Sequence, residues 1–164
     1  MKVKLRYRRF DIILGILIYS SGDTAASLVL SEFSIWRLLG MMFIGGTVYA
    51  FEIPNYFRWI DYRTGGLKGM QVSLLRTGLA FLYFNPLWIA RHLLFIQVFS
   101  GNWGGISFNL LKLGLYSFLV NIPITFIANY AIQNRISLKW RFLANAVFSS
   151  LMVFYYALSK VLFG

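Results

Sequence analysis

Five basic side chains stand within or at the edges of long apolar stretches: Arg37, Arg76, Arg91, Lys112 and Lys160. One acid, Asp23, lies deep inside such a stretch. A charge at mid-bilayer costs about 2.5–3.5 kcal/mol on insertion scales, so it must find a partner, a wet cavity or the interface. Arg37 and Lys160, at stretch ends, are expected to snorkel, and so is Arg76, about one turn inside. Arg91 and Asp23 lie deeper and carry the functional reading. Arg91 follows Arg76 by fifteen residues. Fifteen helical steps of about 100° return to within about 60° of the start, which lets both look into one cavity. The expectation is a polar seam of Asp23, Arg76, Arg91 and the adjacent His92, with Lys112 as a further basic lining. Such a seam is electropositive and suits small anions or, alternatively, an anionic lipid headgroup. His92, with an ordinary pKa of about 6.5, is placed to relay a proton. Packing and hydrogen bonding is the plainer role for it and is the one expected.

Other chemistry is excluded by what is missing. There is no cysteine and only one histidine, which removes disulfide scaffolds, Cys/His zinc sites and c-type haem attachment. No nucleophile elbow, Walker A loop or His-Glu-x-x-His occurs. The five acids are scattered, so paired catalytic carboxylates are not expected. Gly65-Gly66-Leu67-Lys68-Gly69 is glycine-rich and basic, but without a strand before it and a helix after it a turn is the reading. No enzyme, no metal and no cofactor is expected.

These residues need elements to hold them, and composition names the class. Of the 164 residues, 59% are apolar and 13% charged, and mean hydropathy is +0.66. Soluble domains carry about 25% charged residues, so polar side chains here are too few to coat a water-facing sphere. The apolar stretches run over about 12–30, 35–53, 72–99, 106–132 and 140–162, after a basic arm at 1–10. Nineteen residues make about 28 Å of helix, enough to cross a hydrocarbon core. The predicted fold is an all-α, multi-pass transmembrane helical bundle of four to five spans, in one domain covering 1–164. The third stretch exceeds one upright crossing, and a kink at Pro86 is expected to absorb the excess. The segment 56–69 reads as a water-side loop or an interfacial helix. Gly22/Ala26 and Gly46/Ala50, at four-residue spacing, allow close helix approach. Asp11 and Asp23 interrupt what would otherwise read as a cleavable signal, so a retained first helix is expected.

Net charge is +11, which suggests nucleic acid or anionic lipid as partner. The hydropathy decides for lipid. Basic residues outside the stretches cluster in the N-terminal arm, between the second and third stretches, and between the fourth and fifth. The alternate connections, 31–34 and 100–105, hold none. The positive-inside rule then places the N-terminus on the cytoplasmic or matrix side. Headgroup contacts are assigned to Arg6, Arg8, Arg9, Arg58, Arg63, Lys68, Arg135, Lys139 and Arg141. Trp36, Trp59, Trp103 and Trp140 fall near the expected interfaces, as an aromatic belt requires.

The order of several short motifs resembles the Mpv-seventeen family of peroxisomal and mitochondrial inner-membrane proteins. Gly22-Asp23 is similar to the family's Gly-Asp in its first span, and Arg37 stands where an arginine opens the second. Tyr56-Phe57-Arg58-Trp59-Ile60-Asp61 resembles the aromatic and basic segment that follows. Asn102-Trp103, Pro123 with Ala128-Asn129-Tyr130, and Leu158-Ser159 complete a likeness running from Gly22 to Ser159. Ile122, Phe126, Gln133-Asn134 and Phe154-Tyr155 depart from the family's Trp, Gln, Val-Pro and Trp-Asn. The resemblance implies a divergent, non-enzymatic inner-membrane protein, mitochondrial or peroxisomal, associated with channel-like permeation and membrane homeostasis. The same topology suits a bacterial inner membrane. The alternative is a structural accessory subunit of a larger bioenergetic complex that binds anionic phospholipid such as cardiolipin.

Overall fold

Helix ends in this chain are set by residues that leave the right-handed helical conformation or cannot continue it. The computed structural model describes residues 4–163, with side chains as far as residue 155. Helices α1 (Arg9–Val29), α2 (Ile35–Ile44) and α3 (Ala50–Thr64) come first, with a π-helical turn at Gly45–Tyr49 between the last two. Then follow α4 (Gly69–Tyr83), α5 (Pro86–Phe99), a short 3-10 turn at Trp103–Gly105, α6 (Asn109–Arg135) and α7 (Leu138–Phe163). No strand occurs among the described residues, and the all-α helical-bundle class is as expected.

Two ends share one device. After α1, the Ser31 N–H donates to Leu28 O and the Glu32 N–H to Ser27 O, closing a Schellman motif on Ser31 at φ 56°. After α5, Gly101 at φ 69° plays the same part, its N–H donating to Val98 O and the Asn102 N–H to Gln97 O. The expected third stretch is interrupted more sharply than a kink. Helix α4 stops at Tyr83 and α5 restarts at Pro86, with Asn85 Oδ1 accepting from the Leu87 and Trp88 N–H groups at 2.9 and 3.1 Å. Proline lacks a donor and suits the first turn, so the break is a cap followed by a fresh start. Segment 56–69 is helical through Thr64, which selects the helix of the two expected forms. Pro54 and Pro123 are accommodated inside α3 and α6.

The single domain expected over 1–164 is organised as two compact units. One holds Asn55–Arg141, and the other holds Arg6–Pro54 and the described residues from Phe142 onward. In the second unit, α1 packs on α2 and on the π turn. Gly15 and Gly45 meet backbone to backbone, so a Cβ on either would strike the other's carbonyl oxygen. Ala26 and Ala50 are buried, Gly22 abuts Ser150, and Gly46 abuts Ile16. Tyr19 lies against Tyr49 and Phe142, with ring centroids at 4.7 and 6.4 Å. In the first unit, α6 packs on α4 and α5. Phe81 meets Phe118 at 4.7 Å, and Tyr56 stacks between Trp59 and Tyr83 at 5.3 and 4.5 Å.

Both long helices with full side chains are inverted relative to a soluble protein. The buried stripe of α1 includes Asp11, Gly15, Tyr19, Asp23 and Ser27, while Ile13, Leu17 and Leu28 are exposed. The buried stripe of α6 includes Gly114, Asn121, Asn129 and Gln133, while Leu119, Val120, Ile124 and Ile127 face outward. Among the described residues, three helical segments are long and apolar enough to cross a membrane: Arg9–Val29, Gly69–Phe99 and Asn109–Arg135. The stretch expected at 35–53 is built from α2, the π turn and the start of α3. That at 140–162 falls in α7, where the side chains of Leu158, Ser159 and Lys160 lie beyond those described; Lys2 of the arm lies outside the described residues.

Candidate anion interface

Asp61 is the one acid between residues 55 and 141, a span that carries nine Lys and Arg. A lone carboxylate among so many cations draws the nearest guanidinium groups onto itself. Arg141 Nη1, on the first turn of α7, donates to Asp61 Oδ1 at 2.7 Å, and Arg76 Nε, on α4, lies 3.5 Å from the same oxygen. Arg76 Nε also donates to Thr64 Oγ1 at 2.9 Å, near the end of α3. Arg141 is held further by Ile136 O at 3.0 Å and Gln133 Oε1 at 3.4 Å, both near the end of α6. Asn134 Nδ2 reaches Ser73 O and Thr77 Oγ1 on α4 at 3.3 and 3.2 Å. These bonds tie the last turns of α3 and α6 to the middle of α4 and the first turn of α7.

That end of the unit is therefore cationic by construction. Arg63 and Arg135 occupy the last turns of α3 and α6, where they complement the negative ends of the helix dipoles. Lys68 precedes α4 and Lys139 lies in the first turn of α7, and all four are exposed. Arg63 sits over the Trp59 ring at 5.4 Å and Lys139 over the Trp140 ring at 5.1 Å. A cation over an indole face is held there by the ring quadrupole. Arg58 is half-buried on α3. Burial pushes the Tyr56 hydroxyl above its ordinary pKa, keeping it a donor to Leu79 O at 2.8 Å.

Two assignments need correction. Arg141 is 5% exposed and spends its donors on Asp61, Gln133 and Ile136, so it is a buried tie and not a surface headgroup contact. Arg37 does not snorkel. Its Nε and Nη2 each donate to Asp23 at 2.8 Å, with side-chain exposures of 7% and 2%. The pair forms because fourteen residues and the tight turn at Ser31 bring α2 back along α1, and a buried carboxylate takes the guanidinium within reach.

The four residues of the expected seam fall as follows. Asp23 belongs with Arg37 in one unit, and Arg76, Arg91 and His92 belong to the other. Arg76 joins Asp61 and Thr64. Arg91 is half-buried on α5, and His92 is buried and stacks on Trp88 at 5.9 Å. Lys112 is exposed on α6. In the arm, Arg8 is bidentate to Asp11 at 2.7 and 2.8 Å, while Arg6 and Arg9 are exposed.

Sequence reasoning missed Asp61, Thr64 and Gln133. The isolation of Asp61 among cations was the available signal. A second was the polar residue at every fourth position of α6, Ser117, Asn121, Thr125, Asn129 and Gln133. Among the described residues no three His, Cys, Asp or Glu side chains converge on a metal position. Comparison with family models, with curated proteins and with solved structures gives no match for this chain.

Proposed function

We propose that the chain is a non-enzymatic, multi-pass integral membrane protein, crossing four to five times, that works as a structural accessory subunit and grips anionic phospholipid at its cationic end. The observation that carries this reading is the tie of the ends of α3 and α6 and the start of α7 to α4 around Asp61, with Arg63, Lys68, Arg135 and Lys139 exposed on the adjoining turns. Each Lys or Arg near an anionic surface contributes about 1 kcal/mol, so four of them set a scale of about 4 kcal/mol. The outward Leu, Val and Ile side chains of α6 supply an apolar flank in the same unit, which also carries Trp59 and Trp140. The organelle is an inner membrane, mitochondrial by the Mpv-seventeen resemblance, with the N-terminus and the rim on the matrix side.

Tryptophan quenching by brominated phosphatidylglycerol, in vesicles otherwise of phosphatidylcholine, tests the grip. The wild type should prefer the anionic lipid several-fold, with the preference falling as salt rises. Replacing Arg63, Lys68, Arg135 and Lys139 together by Ala should lower it severalfold. An unchanged preference refutes the lipid reading. Co-migration with a large assembly after mild detergent extraction tests the subunit role.

A second reading is channel-like passage of small anionic solutes, as the family resemblance implies. It is favoured by the polar residues repeated at every fourth position of α6, several of them buried. Anion flux through the lone reconstituted protein would select it, and no flux would remove it.

A further inference from the structure

We infer that Arg76 and Gln133, backed by Arg141 around Asp61, form a discrete site for a phosphate group, carried either by a lipid headgroup or by a soluble phosphate. The site deepens the headgroup reading and rests on it for access from the membrane surface. It is distinct from the exposed rim in geometry and in the donors it offers.

Two full cations share one carboxylate oxygen, so the cluster keeps an uncompensated positive charge. The inner nitrogens are spent: Arg76 Nε on Thr64 and Asp61, Arg141 Nε on Ile136 O, and Arg141 Nη1 on Asp61 and Gln133. These contacts fix the planes of both guanidinium groups. Among the described residues the terminal nitrogens of Arg76 have no hydrogen-bond partner, and its side chain is 25% exposed, so the fork is open to an approaching group.

Gln133 provides the independent observation. It is fully buried, at 0% exposure. Arg141 has only donors to offer, so the amide must turn Oε1 toward it. That leaves Nε2, a buried donor beside the cluster, with no acceptor. Buried donors are as a rule satisfied, and one left over on the side chain that holds Arg141 points to an acceptor the cluster lacks. A guanidinium fork matches two oxygens of an oxyanion in one plane. A carboxylate would be used up by that fork alone. A phosphate has further oxygens for Gln133 Nε2 and a charge large enough to compete with Asp61 for the guanidinium groups.

The test uses the full-length protein, delipidated in neutral detergent, with binding read by native mass spectrometry. Phosphatidylglycerol probes the lipid source, and glycerol phosphate and inorganic phosphate probe the soluble one. The wild type should take one equivalent of at least one probe. Arg76→Lys keeps the charge and removes the fork, and Gln133→Leu removes the orphan donor without adding charge. Each should weaken that one equivalent at least tenfold while leaving the preference for bulk anionic lipid intact. The quadruple rim variant should behave the other way. Binding of phosphatidylglycerol alone assigns the site to a headgroup, and binding of the soluble probes assigns it to free phosphate. No stoichiometric binding of any probe, or binding unchanged in Gln133→Leu, overturns the site without touching the rim reading. Gln133→Leu carries the experiment if Arg76→Lys does not elute as a monodisperse species.

Discussion

Replacing Arg37 by Met should be among the most damaging single changes available in the second unit. The guanidinium makes two parallel bonds of 2.8 Å to Asp23, and both side chains are almost wholly withdrawn from solvent. Removing one partner strands a buried charge, for which the expected loss is about 3–5 kcal/mol. At about 1.4 kcal/mol per tenfold, that is two to four orders of magnitude in the folding equilibrium. Glu32 does not rescue Asp23, being itself an acid, and its own contribution is small. It lies 3.8 Å from Arg37 Nη1 at 51% exposure, the regime of about 0–1 kcal/mol. The double variant, Asp23→Leu with Arg37→Met, leaves no orphan charge and should recover most of the loss, since buried ion pairs are often matched by apolar residues of similar volume. The assay is reversible unfolding in mixed micelles of neutral and denaturing detergent, followed by circular dichroism, for both single variants and the double. A loss under about 1 kcal/mol for Arg37→Met would refute the burial argument. So would a double variant as damaged as the sum of its parts, because the singles would then be reporting lost packing and not stranded charge.

Other changes should separate the local devices. Gly15→Val drives a side chain into the Gly45 carbonyl and should cost about 1–3 kcal/mol, whereas Gly78→Ala meets nothing within 4 Å and should be neutral or slightly stabilising, both read by the same unfolding assay. Asn85→Ala removes the acceptor of two N–H groups at the start of α5 and should cost about 1 kcal/mol, with Asn85→Asp retaining most of it. Ser31→Gly should raise stability by about 0.5–1 kcal/mol, because a non-glycine residue is strained at φ 56° in the turn after α1. The chain has no native thiol, so single cysteines are unambiguous, and Gly66→Cys and Asn102→Cys should be labelled from opposite sides of a sealed vesicle. Between them lies the segment Gly69–Phe99, 31 residues that comprise α4, the Asn85 break and α5, and labelling of both from one side would reject that crossing.

Helix content and the positions of most helices could be read directly, because long apolar runs leave the backbone few alternatives to bonding with itself. Proline and glycine placement located the breaks, although Pro86 was expected to bend a helix and instead begins a new one after the Asn85 cap. The glycines that matter most for packing were not those at four-residue spacing. Gly15 and Gly45 touch across thirty residues of sequence, and nothing in either local pattern announces the other. The same holds for Asp61 and Arg141, eighty residues apart.

The one-dimensional chain thus dictated how much of itself is helical, how apolar those helices are and on which connections its cations accumulate. These follow from composition and nearest-neighbour rules, which act along the backbone. Which cation each acid would take was a matter for the folded chain. Asp23 had several basic residues to choose from, and the turn at Ser31 delivered Arg37. Asp61 received Arg141 and Arg76 because the start of α7 and the middle of α4 pack against the end of α3. Partner choice among like charges depends on a few ångströms of separation in a low-dielectric interior. That separation exists only once the helices have packed.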